Sequence, residues 1–250
     1  MQGVTLDLWD TIIIDDSDEP LRAERGLPSK RDVRLAAIGD LLRPDHEGIS
    51  AEAIAGAWDS VHGEFVTMWR QQHVTFDVRD RLGRILEHLE IRSPSEEAIA
   101  KAVACIEAAE CDPPPQLIEG AAAGVRALAD RGPIVLISDT VITPGHGLRR
   151  ILETHGLLDL FSGCVFSDEA GRSKPHRSVF EQAATLAGLP LDAMAHVGDR
   201  QHHDVVGARE AGMRSVLFTA SRATDRDIST ADAICDSWSE LPSVITSLGA

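Results

Sequence analysis

Basic residues are scarce in this chain: 24 Lys and Arg stand against 40 Asp and Glu, a net charge of −16 over 250 residues. That balance argues against a nucleic-acid surface, which needs clustered cations to neutralise phosphates. It still permits an anionic small molecule, because a few local cations and a metal can dominate the field in a pocket. Most of the acidity reads as a solvated surface that aids solubility. The four cysteines, Cys105, Cys111, Cys164 and Cys235, form no CxxC pair and show no Cys/His ligand spacing, so free thiols in a reducing cytoplasm are expected. No apolar run approaches the ~20 residues of a membrane span. The first apolar stretch is short and carries Asp7 and Asp10, unlike a signal peptide. Internal repeats and low-complexity tracts are absent as well.

What remains is an ordinary globular composition, 43% hydrophobic and 26% charged, with room for one large domain or a core plus an insert. Strand-like runs at Gly3 to Leu8, Pro133 to Ser138, Gly163 to Phe166, Ala193 to Val197 and Arg214 to Phe218 are each followed by polar or Gly-containing loops. Helical patterns lie between them near Gly145 to His155, Arg177 to Ala187 and Asp204 to Ala211. The alternation predicts an α/β fold, a Rossmann-like parallel sheet with helices on both faces. Ligands of such sheets bind beyond the carboxyl ends of the strands.

The interval from about Asp16 to Leu117 breaks this alternation and reads as helix throughout. Ile54, Trp58, Val61, Phe65 and Trp69 recur at spacings of four, three, four and four, one apolar helix face. Leu82, Ile85, Leu86 and Leu89 make another, and Ile99, Val103 and Ile106 a third. The Trp and Phe stripe is expected to be helix-to-helix core rather than pocket lining. Ser93-Pro94-Ser95-Glu96 reads as a helix start with a capping box and Pro at the first helical position. Cys111-Asp112-Pro113-Pro114-Pro115 ends the helices and looks like a hinge. The expected organisation is a core of residues 1–15 and 117–250 with an all-α domain, 16–116, inserted after the first strand.

Four loops carry residues suited to chemistry. In Val4-Thr5-Leu6-Asp7-Leu8-Trp9-Asp10-Thr11, Asp7 ends a strand, where it is either a nucleophile or a plain loop carboxylate. Ser138 ends the strand Val135-Leu136-Ile137-Ser138, followed by Asp139, and can donate to a bound oxyanion or cap the next helix. Lys174, in Ser173-Lys174-Pro175, can neutralise developing charge or be a surface lysine. The fourth, His196-Val197-Gly198-Asp199 to His203-Asp204, supplies two carboxylates five residues apart. Beside Asp7 they would repel unless a cation joined them, and a hard divalent ion with oxygen ligands suits that need.

In this order the four motifs resemble the haloacid dehalogenase superfamily of hydrolases. The likeness extends to Phe166-Ser167-Asp168-Glu169 before the Lys and Gly207-Ala208 to Gly212-Met213 after the acidic loop. The inserted helices look like the α-helical cap of its phosphatase and dehalogenase branch. The resemblance implies Asp7 as a nucleophile forming an aspartyl intermediate, and Mg²⁺ held by Asp7, the backbone carbonyl of Trp9 and Asp199. Asp204 would bind the ion through water or orient its ligands. Thr11 and Ser138 would position the oxyanion, and Lys174 would stabilise Asp7 and the transferred charge. Asp139, Arg22 and Arg25 are candidate substrate contacts. Arg22, Arg25 and Arg31 read either as anion clamps in the cap or as exposed helix charges. His202 and His203 are expected to face solvent. The partner implied is a small anionic molecule.

Trp9 departs from the family pattern, which usually has a second Asp there to protonate the leaving group, worth about 10²–10⁴ in rate. Indole is a hydrogen-bond donor only, and Asp10 is expected to point elsewhere. Three functions are compatible with this: a Mg²⁺-dependent phosphatase, a carbon–halogen hydrolase, or a low-turnover binding or regulatory protein. Dehalogenating relatives carry an aromatic at this position but lack the paired acids, which favours phosphate.

Overall fold

The computed structural model describes residues 1–43, 46, 48–92 and 94–249. Six strands, β1 (Gly3–Leu6), β2 (Ile134–Ser138), β3 (Gly163–Phe166), β4 (Met194–Gly198), β5 (Arg214–Phe218) and β6 (Ala233–Cys235), form one sheet in the order β3-β2-β1-β4-β5-β6. Every neighbouring pair is parallel. Near-continuous apolar runs suit such a sheet because both of its faces are covered. Val4, Leu6, Ile134, Leu136, Ala195, Val197, Val216 and Phe218 share one buried cluster with helices α6 (Ala121–Ala129), α7 (Gly145–Thr154) and α11 (Leu241–Ser247). On the opposite face, Val135, Ile137, Val165 and Met194 pack against α9 (Arg177–Ala187) and α10 (Gly207–Ala211). The short α8 (Ser167–Ala170) follows β3 directly.

Strand order reverses between β1 and β4, the switch point where crevices open in doubly wound sheets. β1 is shorter than the expected Gly3 to Leu8. Its ladder ends as the Asp7 amide donates to Val197 O at 2.9 Å, and the amides of Thr11, Ile12 and Ile13 then turn back onto Leu8 O. Asp7 therefore stands just past the strand.

Between β1 and β2, helices α1 (Asp18–Glu24), α2 (Lys30–Leu42), α3 (Ala51–Gln72), α4 (Val78–His88) and α5 (Glu96–Ala109) enclose their own core. Ile38, Leu42, Ile54, Trp58, Val61, Phe65, Leu82, Ile85 and Ile106 are buried in it. The helix expected at Ser93 starts later. Ser93 lies outside the described residues, and Ser95 is the N-cap, accepting from the Ala98 amide. The chain leaves and re-enters the sheet side by side: Ile14 N donates to Gln116 O and Ile118 N to Ile12 O, both at 2.9 Å. No helix among the described residues is long and apolar enough to cross a membrane.

Candidate active site

The sheet topology delivers Asp7 from the end of β1 and Asp199 and Asp204 from beyond β4. Their carboxylate oxygens lie within 4.8 Å of one another, and all three residues are buried. Asp204 belongs to a single wide π-helical turn, Gln201–Val206, that folds back over the end of β4. Such turns recur at functional sites. Gly198 is required beneath it, since a Cβ there would lie 2.3 Å from Asp204 Cγ.

Lys174, itself buried, reaches the trio from the loop after α8, donating to Asp7 Oδ1 at 2.5 Å and to Asp204 Oδ1 at 2.7 Å. Its backbone N–H donates to Asp139 Oδ1 at 2.9 Å, so the loop after β2 fixes the lysine's position. Behind Asp204, His196 Nε2 lies 3.1 Å from Oδ1 while Nδ1 pairs with Thr5 Oγ1 at 2.8 Å. The Arg200 amide donates to Asp204 Oδ2 at 2.9 Å. Thr11 Oγ1 donates to Asp7 Oδ2 at 3.3 Å.

One ammonium cannot neutralise three buried carboxylates, and Asp204 secures it. Burial opposes its ionisation, but Lys174 and His196 outweigh that and hold Asp204 well below the usual range. Lys174 is held above its ordinary value, the carboxylates overcoming the cost of burial. Burial pushes Asp7 up to about 6, Lys174 pulling against it and Asp204 adding to it. Burial, then the charges of Asp204 and Asp7, push Asp199 up to about 8. A carboxylate cluster short of positive charge is what a hard divalent cation relieves, and its oxygen-only donor set fits Mg²⁺. Asp199 is steadied from outside by Arg222 Nη1, which donates to its Oδ2 at 3.2 Å and to its carbonyl at 3.1 Å.

A cavity of about 380 Å³ opens from Asp7, Lys174 and Asp204 toward the inserted helices. Trp9 lines it. Asp10 turns away, with φ of 55° and its Oδ1 accepting from Ser221 Oγ at 2.8 Å. From α3, Trp69 stacks on His203 with ring centroids 4.3 Å apart. Its Nε1 donates to Asp139 Oδ2 at 3.0 Å. Lys30, Arg34, His62 and Glu110 form the far wall.

The structure thus gathers Asp7, Thr11, Asp139, Lys174, Asp199 and Asp204, with Trp9 at the rim. Ser138 Oγ is buried and unpartnered at the end of β2. Three expectations are corrected. Arg22 is no anion clamp: Nη1 donates to Ala109 O and Asp112 O and Nε to Pro28 O, tying α1 to the end of α5. Arg25 is no clamp either and faces solvent beside Asp112, while Arg31, beside Asp59, takes the exposed-charge reading. His203 is buried against Trp69, and only His202 is exposed. The aromatic stripe divides, since Trp58 and Phe65 are core while Trp69 enters the site. Sequence reasoning missed Lys30, Arg34, His62, Glu110 and Arg222. Charges on amphipathic helices and surface loops look alike until packing selects which of them turn inward.

A buried aspartate at the switch point, a lysine bridging it to a second acid and a helical insert roofing the cavity place an acidic pocket at the carboxyl end of a doubly wound α/β sheet. A family model described as haloacid dehalogenase-like hydrolase matches residues 1–212, and the chain belongs to that family. Curated relatives include haloacid dehalogenase-like hydrolase domain-containing protein 3 of Bos taurus, 36% identical over 110 residues, 44% of this chain and 43% of that protein. The glyceraldehyde 3-phosphate phosphatase of Pyrococcus furiosus is 29% identical over 108 residues, 42% of this chain and 45% of that protein. The chain thus matches less than half the length of these two relatives. Among solved structures, the 2-haloacid dehalogenase of Pseudomonas syringae pv. Tomato DC3000 superposes with a TM-score of 0.69 at 24% identity, covering 99% of both chains. A HAD phosphatase from Thermococcus onnurineus gives 0.65 at 20% identity over 98% of both chains. These likenesses establish the fold, and the relatives' names include both phosphatases and a dehalogenase.

Proposed function

We propose that this hydrolase is a Mg²⁺-dependent phosphatase acting on a small phosphorylated metabolite. The observation that carries the reading is the pairing of Asp199 and Asp204 around Asp7, three buried carboxylates with one lysine among them. Halide leaves carbon without a metal, whereas a phosphoryl group is met by a divalent ion, and it is the ion that such a carboxylate cluster serves. Asp7 and Asp199, with the Trp9 carbonyl, would hold Mg²⁺. Asp204 is already engaged by Lys174, His196 and the Arg200 amide, so it orients the set. When bound, the ion neutralises charge on the phosphoryl oxygens.

An Asp7 oxygen attacks phosphorus, the bond to the leaving alkoxide breaks, and an aspartyl-phosphate forms. Water then attacks that phosphorus, releasing phosphate and restoring Asp7. Lys174 stabilises Asp7 and the transferred charge, and Thr11 keeps the carboxylate oriented. The Ser138 hydroxyl, buried without a partner, is the remaining donor for the phosphoryl oxygens. Trp9 leaves the alkoxide without its usual acid, so good leaving groups turn over fastest. The partner is a small anionic substrate rather than nucleic acid or membrane, and a reducing cytoplasm suits the four free cysteines.

Trp9 also supports a second reading, a carbon–halogen hydrolase, because halide leaves without a proton. Phosphate release from aryl and alkyl phosphates and halide release from 2-haloacids, each with Mg²⁺ or chelator, separate the two. Mg²⁺-dependent phosphate release abolished by Asp7→Asn upholds the phosphatase. Chelator-insensitive halide release replaces it with the dehalogenase. Binding of Mg²⁺ and phosphate with no turnover points to a regulatory protein.

A further inference from the structure

The phosphatase reading leaves the leaving group unspecified, and the far wall of the cavity bears on it. Six carboxylates and four cations line the cavity, so it is not a basic pocket. Each cation there already has a place. Lys174 is held between Asp7 and Asp204. Lys30, buried at the foot of α2, lies 2.9 Å from Asp18 and 3.0 Å from Asp16. Arg34 donates through Nε at 2.9 Å and Nη2 at 2.6 Å to one oxygen of Glu110, whose side chain is 4% exposed. Arg200 stands on the nucleophile's side, its Nε 3.8 Å from Asp199 and its guanidinium 6.0 Å from the centre of the Trp69 ring, where it can meet the phosphoryl group.

Neutral groups fill the space between these pairs. His62 Nδ1 is buried without a partner at the cavity wall. Burial, with the charges of Arg81 and Arg34, holds that imidazole below its ordinary pKa, so it stays neutral and can donate to or accept from a hydroxyl. Thr143, Val141, Ile142 and the Trp69 indole complete the wall.

Resting on the phosphatase reading above, we infer that the leaving group is a neutral, hydroxyl- or carbonyl-bearing fragment. A second anion would be excluded by the self-neutralised Lys30–Asp18 and Arg34–Glu110 pairs. A carboxylate or second phosphate placed there would lose its water and find no free cation, while Glu110 repelled it. Arg34 already spends Nε and Nη2 on Glu110, so a second anion there would share one cation with that buried carboxylate. The exclusion is therefore built from attraction within the protein, and a single substitution can reverse it.

Glycerol 3-phosphate and 3-phosphoglycerate, alike in size but differing in one hydroxymethyl or carboxylate group, test this directly. Their binding to the full-length protein with Mg²⁺, as the non-hydrolysable phosphonate analogue of each, is measured calorimetrically, beside inorganic phosphate. Glycerol 3-phosphate is expected to bind about tenfold tighter or better, the equivalent of one unsatisfied polar contact. In the Glu110→Gln background, which frees Arg34, the ratio should shrink or invert. His62→Phe should weaken glycerol 3-phosphate while leaving inorganic phosphate unchanged. Equal or tighter binding of 3-phosphoglycerate to the intact far wall overturns the inference and leaves the phosphatase reading standing. If neither ester nor phosphate binds in a Mg²⁺-dependent way, the phosphatase reading itself fails and the inference goes with it.

Discussion

Trp69 Nε1 donates to Asp139 Oδ2 across the boundary between the inserted helices and the sheet, while the other Asp139 oxygen accepts from the Lys174 amide. One aspartate therefore feels both the position of α3 and that of the lysine that holds Asp7. Trp69→Phe keeps a ring against His203 and removes the bond. Losing one such bond is worth about 1 kcal/mol, so Tm should fall by about 2–4 °C, and KM should rise as Asp139 and the Lys174 loop lose their tie to α3. Steady-state kinetics and a thermal melt together check this, and an unchanged KM would show that the contact plays no part in substrate binding.

Trp9 lines the cavity two residues beyond Asp7, whereas Asp10 is turned toward Ser221. Restoring an acid with Trp9→Asp should raise kcat on alkyl phosphates, up to about 10²-fold, and affect aryl phosphates little, since aryl oxides leave without protonation. A lower or equal rate on alkyl esters counts against proton supply as the limiting factor.

The carboxylate trio gives the metal-free protein a pH-dependent stability. Asp7 and Asp199 ordinarily titrate near 3.8 but are raised to about 6 and about 8. Between those values the folded chain keeps protons that the unfolded chain has released, so stability falls as pH rises through that window. Mg²⁺ binds the deprotonated carboxylates, and its stabilising effect should grow with pH. Histidines such as His196 and His203, whose pKa values burial lowers, act in the opposite sense, so the comparison is with Asp199→Asn. In chelator, the Tm of the unaltered protein should fall relative to that of the variant from pH 5 to pH 8, and added Mg²⁺ should close most of that gap. A difference from Asp199→Asn that stays constant or grows in favour of the unaltered protein as pH rises would contradict this account of the trio.

His196 is fully enclosed, edge-on to Phe180 with ring centroids 5.2 Å apart, and pairs with Thr5 and Asp204. His196→Leu keeps the apolar contact but strips Asp204 of a partner and leaves the Thr5 hydroxyl only a long 3.5 Å bond to Ala195 O. Urea unfolding should show a loss of about 2–4 kcal/mol, the range for disrupting a buried network. A change under about 0.5 kcal/mol would mean that Asp204 is satisfied without the imidazole.

Much of this architecture is legible in the sequence because buried parallel strands write continuous apolar runs. Gly163–Phe166 and Arg214–Phe218 have the limits their composition suggests. β6 is only three residues long at the sheet edge, too short to show a period. The acids at Asp7, Asp199 and Asp204 are readable because each sits at a fixed offset from a strand end. The far wall is not, because Arg34 and Glu110 lie 76 residues apart and only helix packing brings them into register. Arg22 shows the same limit in reverse: nothing local distinguishes a guanidinium that caps carbonyls from one that awaits an anion.

The chain enters and leaves the inserted helices through adjacent segments, with Ile13 bridged antiparallel to Leu117 and the Gln116 amide donating to Ser17 Oγ. Both feet of the insert thus stand on one small patch beside β1. The five helices could be exchanged for another set, or cut back to a short turn, without stretching the sheet or moving Asp7. The fold can in this way keep its chemistry fixed while acquiring new selectivity through a single splice point.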